Sequence, residues 1–166
     1  MAAELVGFAV KTIGPVKVVG KELRTRFFSF EDNPVPAFWD RCFQDGTVAT
    51  LEALPGRCYP SALIGWAGRY DPADQSFSYI VGVLADPGAA VPEGMAAYDI
   101  PENRFAVGSI LGTEPDIYGR AHDLTWEQAA KASLEPALDF EMEWYDERFE
   151  QPDGRHMIDL WIPVQG

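Results

Sequence analysis

Residues 138–146 read Leu-Asp-Phe-Glu-Met-Glu-Trp-Tyr-Asp, and apolar and polar side chains alternate through them. Leu138, Phe140, Met142 and Trp144 fall on one side, and Asp139, Glu141, Glu143 and Tyr145 fall on the other. Alternation this strict specifies a strand with one face on a core. It predicts that Leu138, Phe140, Met142 and Trp144 are buried against helices, together with Ile158, Leu160 and Ile162 of a final strand. The second face carries two carboxylates two residues apart, followed by a phenol. Facing water, this is an ordinary charged strand face. Lining a cleft, it is an anionic, aromatic-edged surface suited to a cation. The stretch alone leaves both readings open.

Charge narrows the partners. The 166 residues carry a formal charge of −13, with a sequence pI of about 4.4. Nucleic-acid binding needs Lys and Arg to neutralise phosphate, so no direct nucleic-acid partner is expected. Acidity by itself explains no more than solubility. Apolar residues make up 47% of the chain, enough for a sizeable core in one domain. Aromatic residues reach 13%, and rings serve a binding wall as well as a core. Cys42 and Cys58 form no C-x-x-C pair and are distant in sequence from His122 and His156. No metal and no cofactor are therefore expected, and the thiols read as reduced. The first residues hold no basic segment followed by an apolar run, and no apolar run approaches membrane length. A cytoplasmic protein with no membrane partner is the expectation.

In chain order, residues 6–28 read as extended, with a break at Gly14-Pro15. Residues 35–54 have helical spacing interrupted at Asp45-Gly46, with Phe38, Trp39 and Phe43 as its core stripe. Two strands follow, 62–70 and 77–84, joined by a hairpin loop at 71–75. Residues 87–94, rich in Pro and Gly, read as a linker. After it come strands at 95–100 and 104–111. A helix then starts at Thr113-Glu114-Pro115, with Thr113 as N-cap and a break near Asp123. The alternating stretch and a strand at 157–164 close the chain. The order is strand, helix, strand, strand, twice over. This predicts an α+β fold of two pseudo-symmetric repeats with antiparallel sheets, about 6–86 and 95–164, in a single domain over 1–166.

With that order in place the chain resembles the GyrI-like small-molecule-binding domains, also called the AraC-type effector-binding fold. The resemblance rests on Gly65-Trp66, on Asp99-Ile100-Pro101 through Gly108, on Trp126, on Glu143-Trp144-Tyr145-Asp146 and on Ile162-Pro163-Val164. It implies a ligand cleft between the two repeats, a stand-alone member without a preceding DNA-binding domain, and amphipathic, often cationic ligands. It also implies that Glu143 faces the cleft as counter-ion, with Tyr145 beside it. Glu141 shares their side of the strand. Trp66, Tyr79 and Trp161 are candidate walls, and each could equally be core. The expected function is binding of bulky lipophilic cations. One alternative is hydrolysis of a reactive natural product, with Glu143 as general base and Tyr145 as acid. Another is an acidic protein-interaction or inhibitor module. Ligand identity and oligomeric state are not encoded in any pattern of this sequence.

Overall fold

The computed structural model describes residues 2–26 and 32–166. Its elements, in chain order, are β1 (Glu4–Ile13), β2 (Val16–Arg26), α1 (Val35–Gln44), α2 (Thr47–Glu52), β3 (Leu63–Asp71), β4 (Ser76–Ala85), β5 (Ala96–Ile100), β6 (Asn103–Gly112), α3 (Asp116–Lys131), β7 (Phe140–Tyr145) and β8 (His156–Val164). The expected end of the first extended segment, at Phe27 and Phe28, lies outside the described residues.

The chain forms two compact units. A central unit comprises Pro15–Ile100, and a terminal unit combines Met1–Gly14 with Pro101–Gly166. The expected halves differ from these units by an exchange of strands: β1 joins the C-terminal elements and β5 joins the N-terminal ones. Gly14 sits where the chain passes from one unit to the other. Its φ of +106° and the approach of its Cβ position to 2.8 Å from the Glu102 Cα exclude other residues there.

In the terminal unit the strands run in the order β1-β6-β8-β7, antiparallel throughout. Helix α3 covers one face. Ile117 and Ala121 of α3, Ile110 of β6 and Ile158, Leu160 and Ile162 of β8 form its core. The three β8 residues are buried as their alternation requires. In the central unit the order is β3-β4-β2-β5, also antiparallel. Phe38 and Cys42 of α1 pack with Val48, Tyr79 and Val81, while Leu51 and Leu54 pack with Val19, Val83 and Ala85.

Several local expectations need correction. Phe43 is exposed, because the buried stripe of α1 runs through Phe38 and Cys42, one turn apart. Helix α3 has Pro115 rather than Thr113 at its N-cap, with no side-chain cap hydrogen bond. It also runs unbroken past Asp123, which points to water and so costs the helix little. Leu138 is exposed, since β7 begins only at Phe140.

The largest correction concerns β7. Phe140, Met142 and Trp144 are buried, but on the face away from α3. Met142 stands opposite Trp161, and Trp144 stacks on Trp161 at 4.7 Å. Glu143 stands opposite Leu160, a residue of the core under α3. Glu141, Glu143 and Tyr145 therefore form the helix-side face. β8 offers apolar side chains on both its faces, so the apolar side of β7 had two possible destinations. The tryptophan side took it.

Candidate functional site

The helix-side face of β7 meets α3 in matched steps. Two residues of strand advance about 6.6 Å and four residues of helix about 6 Å. Tyr118, His122 and Trp126 recur every four residues along α3. His122 meets Glu141 at 2.6 Å between Nδ1 and Oε2. One step along, Glu143 acts on Tyr118 through its charge.

Around Tyr118 the charges converge. Burial drives its phenol far above the ordinary value, and Glu114, by charge and hydrogen bond, then Glu143 and Glu150, add to the effect. The charges of three carboxylates thus act on a phenol that keeps its proton. Beside them the rings form a wall. Tyr145 meets Phe149 at 5.6 Å, edge to face, and Phe149 stacks on His156 at 4.3 Å. His156 in turn lies 3.5 Å from a Glu114 oxygen and 3.8 Å from a Glu150 oxygen. Negative charge against partly buried rings is an environment that attracts an organic cation.

The two glutamates of β7 differ. Glu141 is engaged by His122, and its hydrogen bond, working against the effect of burial, raises the His122 pKa. Protonated His122 offsets the Glu141 charge. Glu143 is likewise half-buried, and its charge acts on Tyr118 together with those of Glu114 and Glu150.

The six residues predicted from sequence do not all converge. Glu141, Glu143 and Tyr145 share the helix side of the terminal sheet. Trp161 lies on the opposite face of that sheet, against Trp144 and Phe105. Trp66 and Tyr79 belong to the central unit and point to opposite faces of its sheet. Trp66 packs on Tyr98 at 4.5 Å, and the Tyr79 hydroxyl accepts the Trp39 indole N–H at 2.9 Å. Sequence reasoning missed Tyr118, Glu114, Glu150, Phe149, His122 and His156. The four-residue stripe of Tyr118, His122 and Trp126 was the available signal for α3. The loop residues gave none, because a loop places its side chains without a period.

Two units, each an antiparallel sheet covered on one face by one or two helices, have the architecture of a GyrI-like effector-binding domain of the AraC type. The chain belongs to the Cass2 family of integron-associated effector binding proteins, whose pattern matches residues 10–164. It is 34% identical over 109 residues to the transcriptional regulator BrlR of Pseudomonas aeruginosa PAO1, spanning 59% of this chain and 40% of that protein. Among solved structures it resembles SAV2435 bound to tetraphenylphosphonium, with a TM-score of 0.73 at 15% identity, covering 97% of this chain and 95% of that one. It also resembles the integron cassette protein VCH_CASS2 of the Vibrio cholerae mobile metagenome, with a TM-score of 0.62 at 18% identity, covering 98% and 99%. Among the described residues, no helix is long and apolar enough to cross a membrane.

Proposed function

We propose that this effector-binding chain takes small lipophilic, aromatic cations and that Glu143 is their counter-ion. The observation that carries this reading is the placement of Glu143, half-buried on the helix side of β7, where its charge joins those of Glu114 and Glu150 around the Tyr118 phenol. An entering cation relieves the mutual repulsion of these carboxylates and exchanges water for ring faces. Each desolvated ring contact contributes up to about 2 kcal/mol. Glu141, which His122 engages, ranks second because the resemblance to the effector-binding domains falls on Glu143. The tetraphenylphosphonium complex of the similar SAV2435 protein supports the ligand class.

Fluorescence titration with tetraphenylphosphonium, against neutral triphenylphosphine oxide, tests the proposal. Glu143→Gln should weaken the cation at least about tenfold, or ~1.4 kcal/mol, and leave the neutral compound nearly unchanged. Glu141→Gln should do less. Equal affinity of wild type and Glu143→Gln for the cation would remove Glu143 from the role. Consumption of an electrophilic probe in place of reversible binding would favour hydrolysis, with Glu143 as base.

A further inference from the structure

Strand β1 runs for ten residues along one edge of the terminal sheet. It pairs with β6 on one side, and among the described residues no strand pairs with its other side. The edge is fixed at its start, where the Ala3 N–H donates to Asp116 of α3 at 2.7 Å. Val6 and Val10 are 48% and 41% exposed along it. Unpaired backbone groups beside exposed apolar side chains are a template for another strand. Proteins often guard such an edge with proline, with a very short strand or with charge of one sign. β1 has no proline and is long. In a chain of charge −13 it carries one glutamate and one lysine, so this edge is locally neutral.

A bulge places those two charges. The register of β1 on β6 shifts between Leu5 and Gly7, which leaves Val6 as the extra residue. Glu4 and Lys11 lie an odd number of residues apart, so a regular strand would send them to opposite faces. The bulge brings them to one face: Glu4 stands opposite Leu111 and Lys11 opposite Phe105, which share a side of β6. Leu5, Phe8 and Val10 stand opposite Ile110, Gly108 and Ala106, and so share the helix side. With Val6 set apart, β1 is symmetric about Phe8. Gly7 and Ala9 flank it, then Leu5 and Val10, then Glu4 and Lys11, and each pair lies on one face. Both charges are accessible. Glu4 is 61% exposed, 3.5 Å from Arg155, which also pairs with Asp153 at 2.7 Å. Lys11 is exposed, with its ammonium 5.5 Å from the Trp161 ring centroid.

We propose that the outer edge of β1 is an interface for a second copy of this chain, whose β1 runs antiparallel to the first across a two-fold axis at Phe8. A two-fold pairing of this kind matches a strand with its own reverse, so it requires the symmetry that the bulge creates. Glu4 of each copy then stands opposite Lys11 of the other, Leu5 opposite Val10, and Gly7 opposite Ala9, with the two Phe8 side chains meeting at the axis. Opposite charges meet twice, and the apolar pairs fall on the helix side of both sheets. The negative charge of the rest of the chain opposes association through other surfaces. The proposal rests on β1 alone and is independent of cation binding at Glu143.

The test uses the full chain in sedimentation velocity over a range of concentrations. Wild type should dimerise. Lys11→Glu sets like charges against each other at both ends of the pairing and should weaken the dimer at least about tenfold. Glu4→Lys should weaken it in the same way. The double variant Glu4→Lys/Lys11→Glu restores opposite signs and should recover the dimer. Mixed together, the two single variants should pair with each other more tightly than either pairs with itself. Both positions are exposed, so the variants should keep the fold, which circular dichroism checks. In amide exchange, the β1 N–H groups directed away from β6 should slow as the dimer forms. A chain that stays monomeric at about 1 mM overturns the proposal and leaves the edge to a foreign strand. A dimer indifferent to Lys11→Glu overturns it too, as does one whose outward β1 amides stay fast. Failure of the double variant to recover the dimer would overturn the pairing about Phe8.

Discussion

His122 and Glu141 meet at 2.6 Å across α3 and β7, and this contact is a stability switch set by pH. The hydrogen bond to Glu141 outweighs burial and raises the His122 pKa above the ordinary 6.5. The folded protein therefore holds a proton that the unfolded chain has lost. The sign follows: the contribution is complete below 6.5 and disappears as pH rises through the raised value. His122 is exposed, so solvent screening keeps the contribution small. Nuclear magnetic resonance titration should show His122 above the ordinary value in wild type and near it in Glu141→Gln. The same variant should lose the His122 part of the decline in denaturation midpoint between about pH 6 and about pH 9. An ordinary His122 titration in wild type would mean that the pair does not persist in solution. A second polar cluster in this unit is of a different kind. Asp159 is 3% exposed, accepts from the Ser109 hydroxyl at 2.6 Å and pairs with Arg148 at 2.6 Å. Arg148 also clamps Asp146, where burial pushes the carboxyl up but the arginine's hydrogen bonds and charge prevail and hold it below the usual range. This cluster ties the segment after β7 to β8.

Helix α3 reaches its sheet because β6 carries a glycine beneath it. A Cβ on Gly108 would lie 2.2 Å from Thr125 Oγ1 and 3.0 Å from Thr125 Cβ. Thr125 is buried on the sheet side of α3, along the stripe of Ile117, Ala121 and Ala129. Gly108→Ala would push α3 off β6 and with it shift Tyr118 and His122 away from Glu143 and Glu141. We expect a loss of about 1–3 kcal/mol in urea denaturation. Thr125→Ala in the same chain removes the hydroxyl and methyl that clash, so it should restore part of the loss. The two substitutions should be strongly non-additive. Simple additivity would show that this contact does not set the helix position.

Chain connectivity and compact units disagree in this protein, and the disagreement is testable. β1 pairs with β6 from Glu4 opposite Leu111 to Ile13 opposite Asn103, although some ninety residues separate them. β5 pairs with β2, from Ile100 opposite Val16 to Ala96 opposite Gly20. Each repeat as read from sequence, 6–86 or 95–164, therefore lacks one strand of its unit and carries one that belongs to the other. Expressed separately, neither piece should unfold cooperatively in circular dichroism, and both should associate on gel filtration through unpaired strand edges. A cooperative, monomeric 95–164 piece would show that β1 is dispensable to its sheet.

What the sequence determined by itself was local. Nearly every strand and helix was legible, because periodicity, Gly-Pro breaks and apolar spacing act over a few residues. The repeated order was legible for the same reason, and so was the pairing of Glu141 and Glu143 on one side of a strand. Tertiary structure decided three things. It decided which face of β7 meets the helix: period two states which residues share a side, while the surroundings choose its destination, and β8 is apolar on both faces. It decided that β1 leaves its neighbour β2 for β6, because strand pairing over long separations depends on the summed edge contacts and not on the residues at the Gly14-Pro15 break. It decided which charges act on Tyr118, because Glu143 and Glu150 come from β7 and the loop after it, which only folding brings to the Glu114–Tyr118 turn.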